Sequence, residues 1–168
     1  MSSCIGFAPI LPENPKVVIL GTMPSVASLE KAFYYAHPRN AFWPILAEAF
    51  QQPIETTEQK IALCRQHAIL LWDVLAFCER AGSLDSAIKQ PEANDFESLF
   101  KRFPALKSVL FNGKAAQKLF EQQVMTTQIL PNDLVLYSLP STSPANAQLS
   151  FENKRVLWQQ TLEQAWPK

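Results

Sequence analysis

The apolar and polar positions divide the chain into short continuous apolar runs that alternate with stretches of helical period. Lys16-Val-Val-Ile-Leu20, ending at Gly21, is a β-branched run with the length of a buried strand. Ala68-Ile-Leu-Leu-Trp72 before Asp73, Ser108-Val-Leu-Phe111 before Asn112-Gly113, and Leu134-Val-Leu-Tyr-Ser-Leu139 before Pro140 repeat the pattern. Phe42, Ile45, Leu46, Ala49 and Phe50 recur at helical spacing, with Asn40 where an N-cap belongs. Further helices are expected over 57–67 with Thr57 as cap, then over 95–103, 114–123 and 150–165. Residues 25–35 read as irregular or briefly helical, and the stretch holding Gly82, Ser83 and Pro91 as a polar connection. Pro9, Pro12 and Pro15 make residues 1–15 an extended lead-in.

Four apolar strands alternating with helices imply an α/β fold: a three-layer α/β/α arrangement around a four-stranded parallel sheet. No linker or repeat divides the 168 residues, so a single domain over 1–168 is expected. Ligands of open α/β sheets bind beyond the carboxyl ends of the strands. Here those ends are Gly21-Thr-Met-Pro-Ser25, Trp72-Asp73, Asn112-Gly-Lys114 and Pro140-Ser-Thr-Ser-Pro144.

Composition narrows the class. Apolar residues make up 48% and charged residues 18%, the mixture of a soluble globular protein. There is no basic-then-apolar leader and no window near the ~20 apolar residues of a membrane helix, so a cytoplasmic protein without membrane contact is expected. Cys4, Cys64 and Cys78 lie far apart and form no C-x-x-C pair, which leaves too few thiolates for an iron–sulfur cluster or a Cys4 zinc site. No cofactor and no metal are expected.

Formal net charge is zero, yet the charges are segregated. Residues 98–120 carry Lys101, Arg102, Lys107, Lys114 and Lys118 without an acid, and residues 134–151 carry no charge. Nine acids concentrate between Glu48 and Glu97, facing four basic residues. One face can therefore be positive or neutral, as a polyanion partner needs, and another acidic; the alternative is charge scattered over a solvated surface.

Several chemistries are excluded. There is no G-x-G-x-x-G, no G-x-x-x-x-G-K-[ST] and no G-x-S-x-G, and His37 and His67 are not spaced as a metal pair. His67 closes a helix and reads as a capping residue. What remains is Phe33-Tyr-Tyr-Ala-His-Pro-Arg-Asn-Ala-Phe-Trp43, with five aromatics, a histidine, an arginine and an asparagine in eleven positions. Aromatic faces stack on bases, and an asparagine carries both a donor and an acceptor for a base edge. Phe42 and Trp43 belong to the helical stripe and read as core; Tyr34, Tyr35 and Asn40 lie outside it. The loop Leu139–Ala147 places small hydroxyl residues between two prolines, which suits phosphate oxygens or serves as a plain connection.

Taken together, Gly21-Thr-Met-Pro-Ser25, Tyr35-Ala-His-Pro-Arg-Asn-Ala-Phe-Trp43, Asn112-Gly-Lys114 and Pro140-Ser-Thr-Ser-Pro144 resemble the motifs of the uracil-DNA glycosylase superfamily. The aromatic stretch is similar to that of mismatch-specific uracil-DNA glycosylases. G-T-M-P-S with L-P-S-T-S-P-A-N-A is closer to the hypoxanthine (deoxyinosine) branch. The resemblance spans residues 16–165 and implies a monofunctional glycosylase that hydrolyses the N-glycosidic bond of a flipped, deaminated base in base excision repair. Its partner would be DNA carrying such a base, and a monomer is expected.

The resemblance transfers the catalytic asparagine to Asn40 and the stacking aromatic to Tyr35. The strand-end segments then give a base pocket of Gly21, Thr22, Met23, Tyr35 and Asn112, and the acid-free segments with the serine-rich loop give DNA contacts from Ser25, Arg39, Lys114, Ser141, Thr142, Ser143 and Asn146. Two departures stand out. Many members place Asp or Asn in the first motif to orient the hydrolytic water, and Met23 falls there. A His or Asn often precedes the second Pro-Ser, and Leu139 stands there instead. Asp73 is the only acid in the four strand-end segments and could accept N1–H of hypoxanthine or activate water; capping the next turn is its other reading. A uracil or mismatched-thymine glycosylase, a catalytically silent lesion-binding module and a flavodoxin-like ligand protein are the alternatives.

Overall fold

A computed structural model describes residues 2–167. The chain opens with strand β1 (Ser2–Ile5) and runs extended to β2 (Val17–Gly21), with Ile10 bridged to Leu71 on the way. A short helix α1 (Val26–Lys31) follows, then α2 (Phe42–Phe50), α3 (Thr57–Gln66) and β3 (Ile69–Asp73). Strand β4 (Leu75–Arg80), a one-turn 3-10 helix (Asp85–Ala87) and β5 (Lys89–Ala93) come next. Helix α4 (Phe96–Arg102), β6 (Ser108–Asn112), α5 (Lys114–Gln123), β7 (Val135–Leu139) and α6 (Phe151–Ala165) complete it.

The four apolar runs form one parallel sheet in the order β3-β2-β6-β7. Both central strands, β2 and β6, are buried at every position, as strands covered on two faces must be. Successive side chains alternate between the faces. Val17 and Ile19 join Phe42, Ile45, Leu46, Trp158 and Leu162 in one core beneath α2 and α6. Val18 and Leu20 join Phe96, Phe100, Ala116 and Phe120 in the other, beneath α4 and α5. The α/β/α layering expected from the sequence is therefore present. Among the described residues no helix is long and apolar enough to cross a membrane.

Three features depart from expectation. The lead-in and the polar connection are not irregular: β1, β4 and β5 pair as a second, antiparallel sheet in the order β1-β4-β5. Lys89-Gln-Pro-Glu-Ala93 has little strand propensity of its own and is held by pairing with β4, so no apolar period announces it. The cap of α3 is Thr56 rather than Thr57, in a reciprocal capping box with Gln59. Asn40 does not sit at the N-cap of α2 either. Ala41 occupies that position, and Asn40 Oδ1 reaches past it to accept the Phe42 N–H at 2.9 Å.

Candidate active site

Alternation along the strands explains why the site forms where it does. Gly21 and Asp73 are register partners at the ends of β2 and β3. Each lies two residues beyond Ile19 or Leu71, so both face the α2 and α6 side. Asn112 follows Leu110 on the same face of β6 and is paired with Leu139. Residues 33–43 cross above these ends, and their aromatics stack inward: Phe42 meets Tyr35 at 4.1 Å between ring centroids and Trp158 at 5.8 Å. Trp43 Nε1 donates to the Tyr34 carbonyl at 2.9 Å, which fixes the turn before α2.

The result is one cleft at the strand ends, with a cavity volume of about 100 Å³. Gly21, Thr22, Met23, Ser25 and Tyr35 line it, as do Asn40, Asp73 and Asn112. Ser141, Thr142 and Ser143 close its far wall. Arg39 lies outside, in a groove on one side that also touches His37, Asn40 and Ser143. Lys114 and Asn146 line a second groove, which shares Ser141 with the cleft. The two grooves and the cleft form a continuous path across the strand ends.

The floor is polar and buried. Asp73 is 4% exposed, and its Oδ2 has no hydrogen-bond partner among the described residues. Burial pushes its carboxyl up to about 7; the charge of Asp85 adds to the rise and Arg80 opposes it. The Tyr35 hydroxyl is likewise buried without a partner among the described residues. Burial, and then the charge of Asp73, hold its ionisation far above the usual tyrosine range. Tyr35 adopts a left-handed backbone (φ 51°), a strained state for a residue with a side chain. Gly21 is required beneath them: a Cβ there would lie 2.6 Å from Asp73 Oδ1 and 2.8 Å from the Tyr35 hydroxyl. The strand end thus carries no side chain so that two others can converge on it.

The walls are held by side chains turned inward. Thr142 is 1% exposed; its N–H donates to Asn112 Oδ1 and its hydroxyl accepts from Asn112 Nδ2, both at 2.9 Å. That reciprocal pair ties the serine loop to β6 and occupies both ends of the Asn112 amide. Asn146 Nδ2 donates to the Ser141 carbonyl at 3.1 Å, closing the loop on itself. Gly113 (φ 99°) lets Ser141 approach, since a Cβ there would stand 3.1 Å from the serine Cβ. Ser25 caps α1 by accepting the Ser28 N–H at 3.2 Å. Met23 is buried in the core rather than offering a polar group.

Asn40 is half-buried at the mouth. A backbone N–H can only donate, so the atom facing Phe42 is the carbonyl oxygen, and the amide NH2 is the end left for a ligand. His67 is remote, stacked on Phe50 at 4.1 Å. Among the described residues no group of three or more His, Cys, Asp or Glu side chains is arranged to hold a metal.

Sequence reasoning missed one acid. Asp85 also lines the cleft, and its Oδ1 accepts the Thr22 hydroxyl at 2.7 Å. It stands on the 3-10 turn between β4 and β5, away from every parallel strand end, so no motif pointed to it. Tyr34 and Ser28 line the cleft as well.

The family model of the uracil DNA glycosylase superfamily matches residues 8–162. A Methanosarcina acetivorans protein named hypoxanthine DNA glycosylase is 34% identical over 159 residues, covering 92% of this chain and 94% of its own. A Methanosarcina barkeri protein of the same name is 38% identical over 111 residues, 65% of this chain and 70% of that one. The solution NMR structure of a candidate uracil DNA glycosylase from Methanosarcina acetivorans aligns with a TM-score of 0.81 at 32% identity, covering 98% of this chain and 99% of that one.

Proposed function

This chain belongs to the uracil DNA glycosylase superfamily, and from that premise we propose that it hydrolyses the N-glycosidic bond of a flipped hypoxanthine nucleotide in DNA. The observation that carries the reading is the convergence of Tyr35, Asn40 and Asp73 on one cleft at the ends of the parallel strands. Extruding a base costs a few kcal/mol, least at a weak or mismatched pair, which favours deaminated bases. Phe42 backs the Tyr35 ring, whose remaining face is the stacking platform. Asn40 Nδ2 donates to the departing base or its sugar, because Oδ1 is committed to Phe42. Asp73 meets the pairing edge of the base from the floor.

Bond breaking develops positive charge on the sugar and negative charge on the base, so fixed dipoles aimed at each carry much of the catalysis. Single-turnover assays on duplexes containing inosine, uracil, xanthine or a G·T mismatch test the reading. Cleavage fastest at inosine supports it, and tight binding without any cleavage points instead to a lesion-binding module.

Tyr35→Ala is expected to weaken cleavage by about 1–3 kcal/mol through lost stacking, with the fold retained. Tyr35→Phe keeps the ring on Phe42 and should retain most of that term. A Tyr35→Ala variant that melts normally and cleaves at the wild-type rate would remove Tyr35 from the base pocket.

DNA binding is expected to weaken as salt rises, despite zero net charge. Two lysines of the acid-free segment are neutralised locally: Lys101 pairs with Glu97 at 3.1 Å and Lys107 with Asp133 at 2.9 Å. Lys114 makes no ion pair among the described residues and opens α5, where a helix dipole disfavours a cation and attracts a phosphate. Lys114→Ala should reduce the slope of log K against log salt by about 1, with Arg39→Ala next. Equal affinity of the wild type at low and high salt would refute the phosphate path.

A further inference from the structure

We infer that Asp85 holds the attacking water and faces the sugar cation in this cleft, supplying the anionic group that the buried Met23 does not. The inference rests on the glycosylase reading above. Asp85 lies 63 residues from Thr22 in sequence, yet the two side chains bond at 2.7 Å across the cleft wall. Its loop is fixed a second time, because the Val26 N–H donates to Ser83 Oγ at 2.9 Å and clasps the loop to the start of α1. The carboxyl of Asp85 is thereby held beside the Gly21–Ser25 turn, next to the residue that departs from the family pattern.

Only one of its oxygens is engaged. Among the described residues no cation pairs with Asp85, and Thr22 is the one side chain bonded to its carboxyl. The second oxygen is available to accept from a water. The floor of the same cleft holds two buried polar atoms, Asp73 Oδ2 and the Tyr35 hydroxyl, without partners among the described residues. Two carboxylates in one cleft with unlike surroundings are suited to unlike roles: Asp73 is enclosed, while Asp85 stands exposed at the rim. The enclosed group faces the base and the rim group faces the sugar.

The reaction balances without a cofactor. The C1′–N9 bond breaks and its electron pair leaves with the base. Water oxygen forms the new bond to C1′, and its proton passes to the Asp85 carboxylate. The base anion takes a proton from solvent, and Asp85 returns its own to solvent.

The test uses the full chain and an inosine duplex, with the single-turnover rate, the affinity and the melting temperature measured separately. Asp85→Asn and Asp85→Ala are expected to lower the rate by a factor of the order of 10²–10³. Affinity should stay equal or tighten a few-fold, because a negative charge leaves a surface facing DNA. Asp85→Glu should recover part of the rate, and Thr22→Val, which releases the tether, should show an intermediate loss. Wild-type cleavage matched by Asp85→Asn would overturn this inference alone, as would parallel losses of rate, affinity and melting temperature, which mark a structural role. A wild-type protein that leaves inosine, uracil, xanthine and G·T duplexes all intact would overturn the glycosylase reading, and this inference with it.

Discussion

Asn40→Ala is expected to slow the chemical step on inosine DNA by a factor of the order of 10²–10³ while the protein still folds. One preorganised polar group removed from an enclosed site costs about that much elsewhere. In this cleft the loss is of a donor, because Asn40 Oδ1 is engaged by the Phe42 N–H and Nδ2 alone is presented to the ligand. The same contact supplies one of the otherwise unpaired N–H groups at the start of α2, so truncation should also cost about 1 kcal/mol of stability. Asn40→Asp separates the two effects: a carboxylate still accepts from Phe42 but offers no donor and brings a negative charge to the mouth. It should melt like the wild type and cleave as poorly as the alanine variant, or worse. A folded Asn40→Ala protein with an unchanged single-turnover rate would show that the chemistry resides elsewhere.

The parallel sheet was legible because its central strands are buried on both faces and are therefore written as continuous apolar runs, as in Val17–Leu20 and Ser108–Phe111. The strand ends then located the cleft, and alternation decided which of their side chains enter it. The second sheet was illegible for the converse reason. β5 carries lysine, proline and glutamate, and it exists only because β4 pairs with it. Asp85 was lost with it, since its place in the cleft depends on a loop that leads into β5, the strand without an apolar signature. Thr142 illustrates a different limit. Its position in a serine-rich loop matched a phosphate contact, and only the reciprocal bonds to Asn112 show it turned inward. Spacing indicates which residues come near the cleft; hydrogen-bond commitments decide which remain free to act there.

Asp73 carries the second large expected effect, and it couples stability to chemistry. Its carboxyl is raised to about 7, first by burial and then by the charge of Asp85, against about 3.9 in an unfolded chain. The folded protein therefore keeps this proton between pH 4 and 7 while the unfolded chain gives it up. Stability from this group is highest below pH 4, falls as pH rises to 7, and then levels off, with a total change of the order of a few kcal/mol. Asp73→Asn removes the titration, so it should be more stable than the wild type at pH 8 and show a flatter stability profile. The chemistry should follow the same proton. A neutral carboxyl accepts N1–H with its carbonyl and donates its own proton to O6, which stabilises the anion developing on the base. An ionised carboxylate cannot donate and instead repels that anion. Wild-type single-turnover cleavage should accordingly decline as pH rises through about 7, and Asp73→Asn, which offers both a donor and an acceptor, should lose that limb while retaining activity. Asp73→Ala should retain neither the limb nor the activity. A wild-type rate that rises through pH 7, or an Asp73→Asn profile identical to the wild type in both rate and stability, would place the titrating group elsewhere and leave Asp73 a structural role at the end of β3.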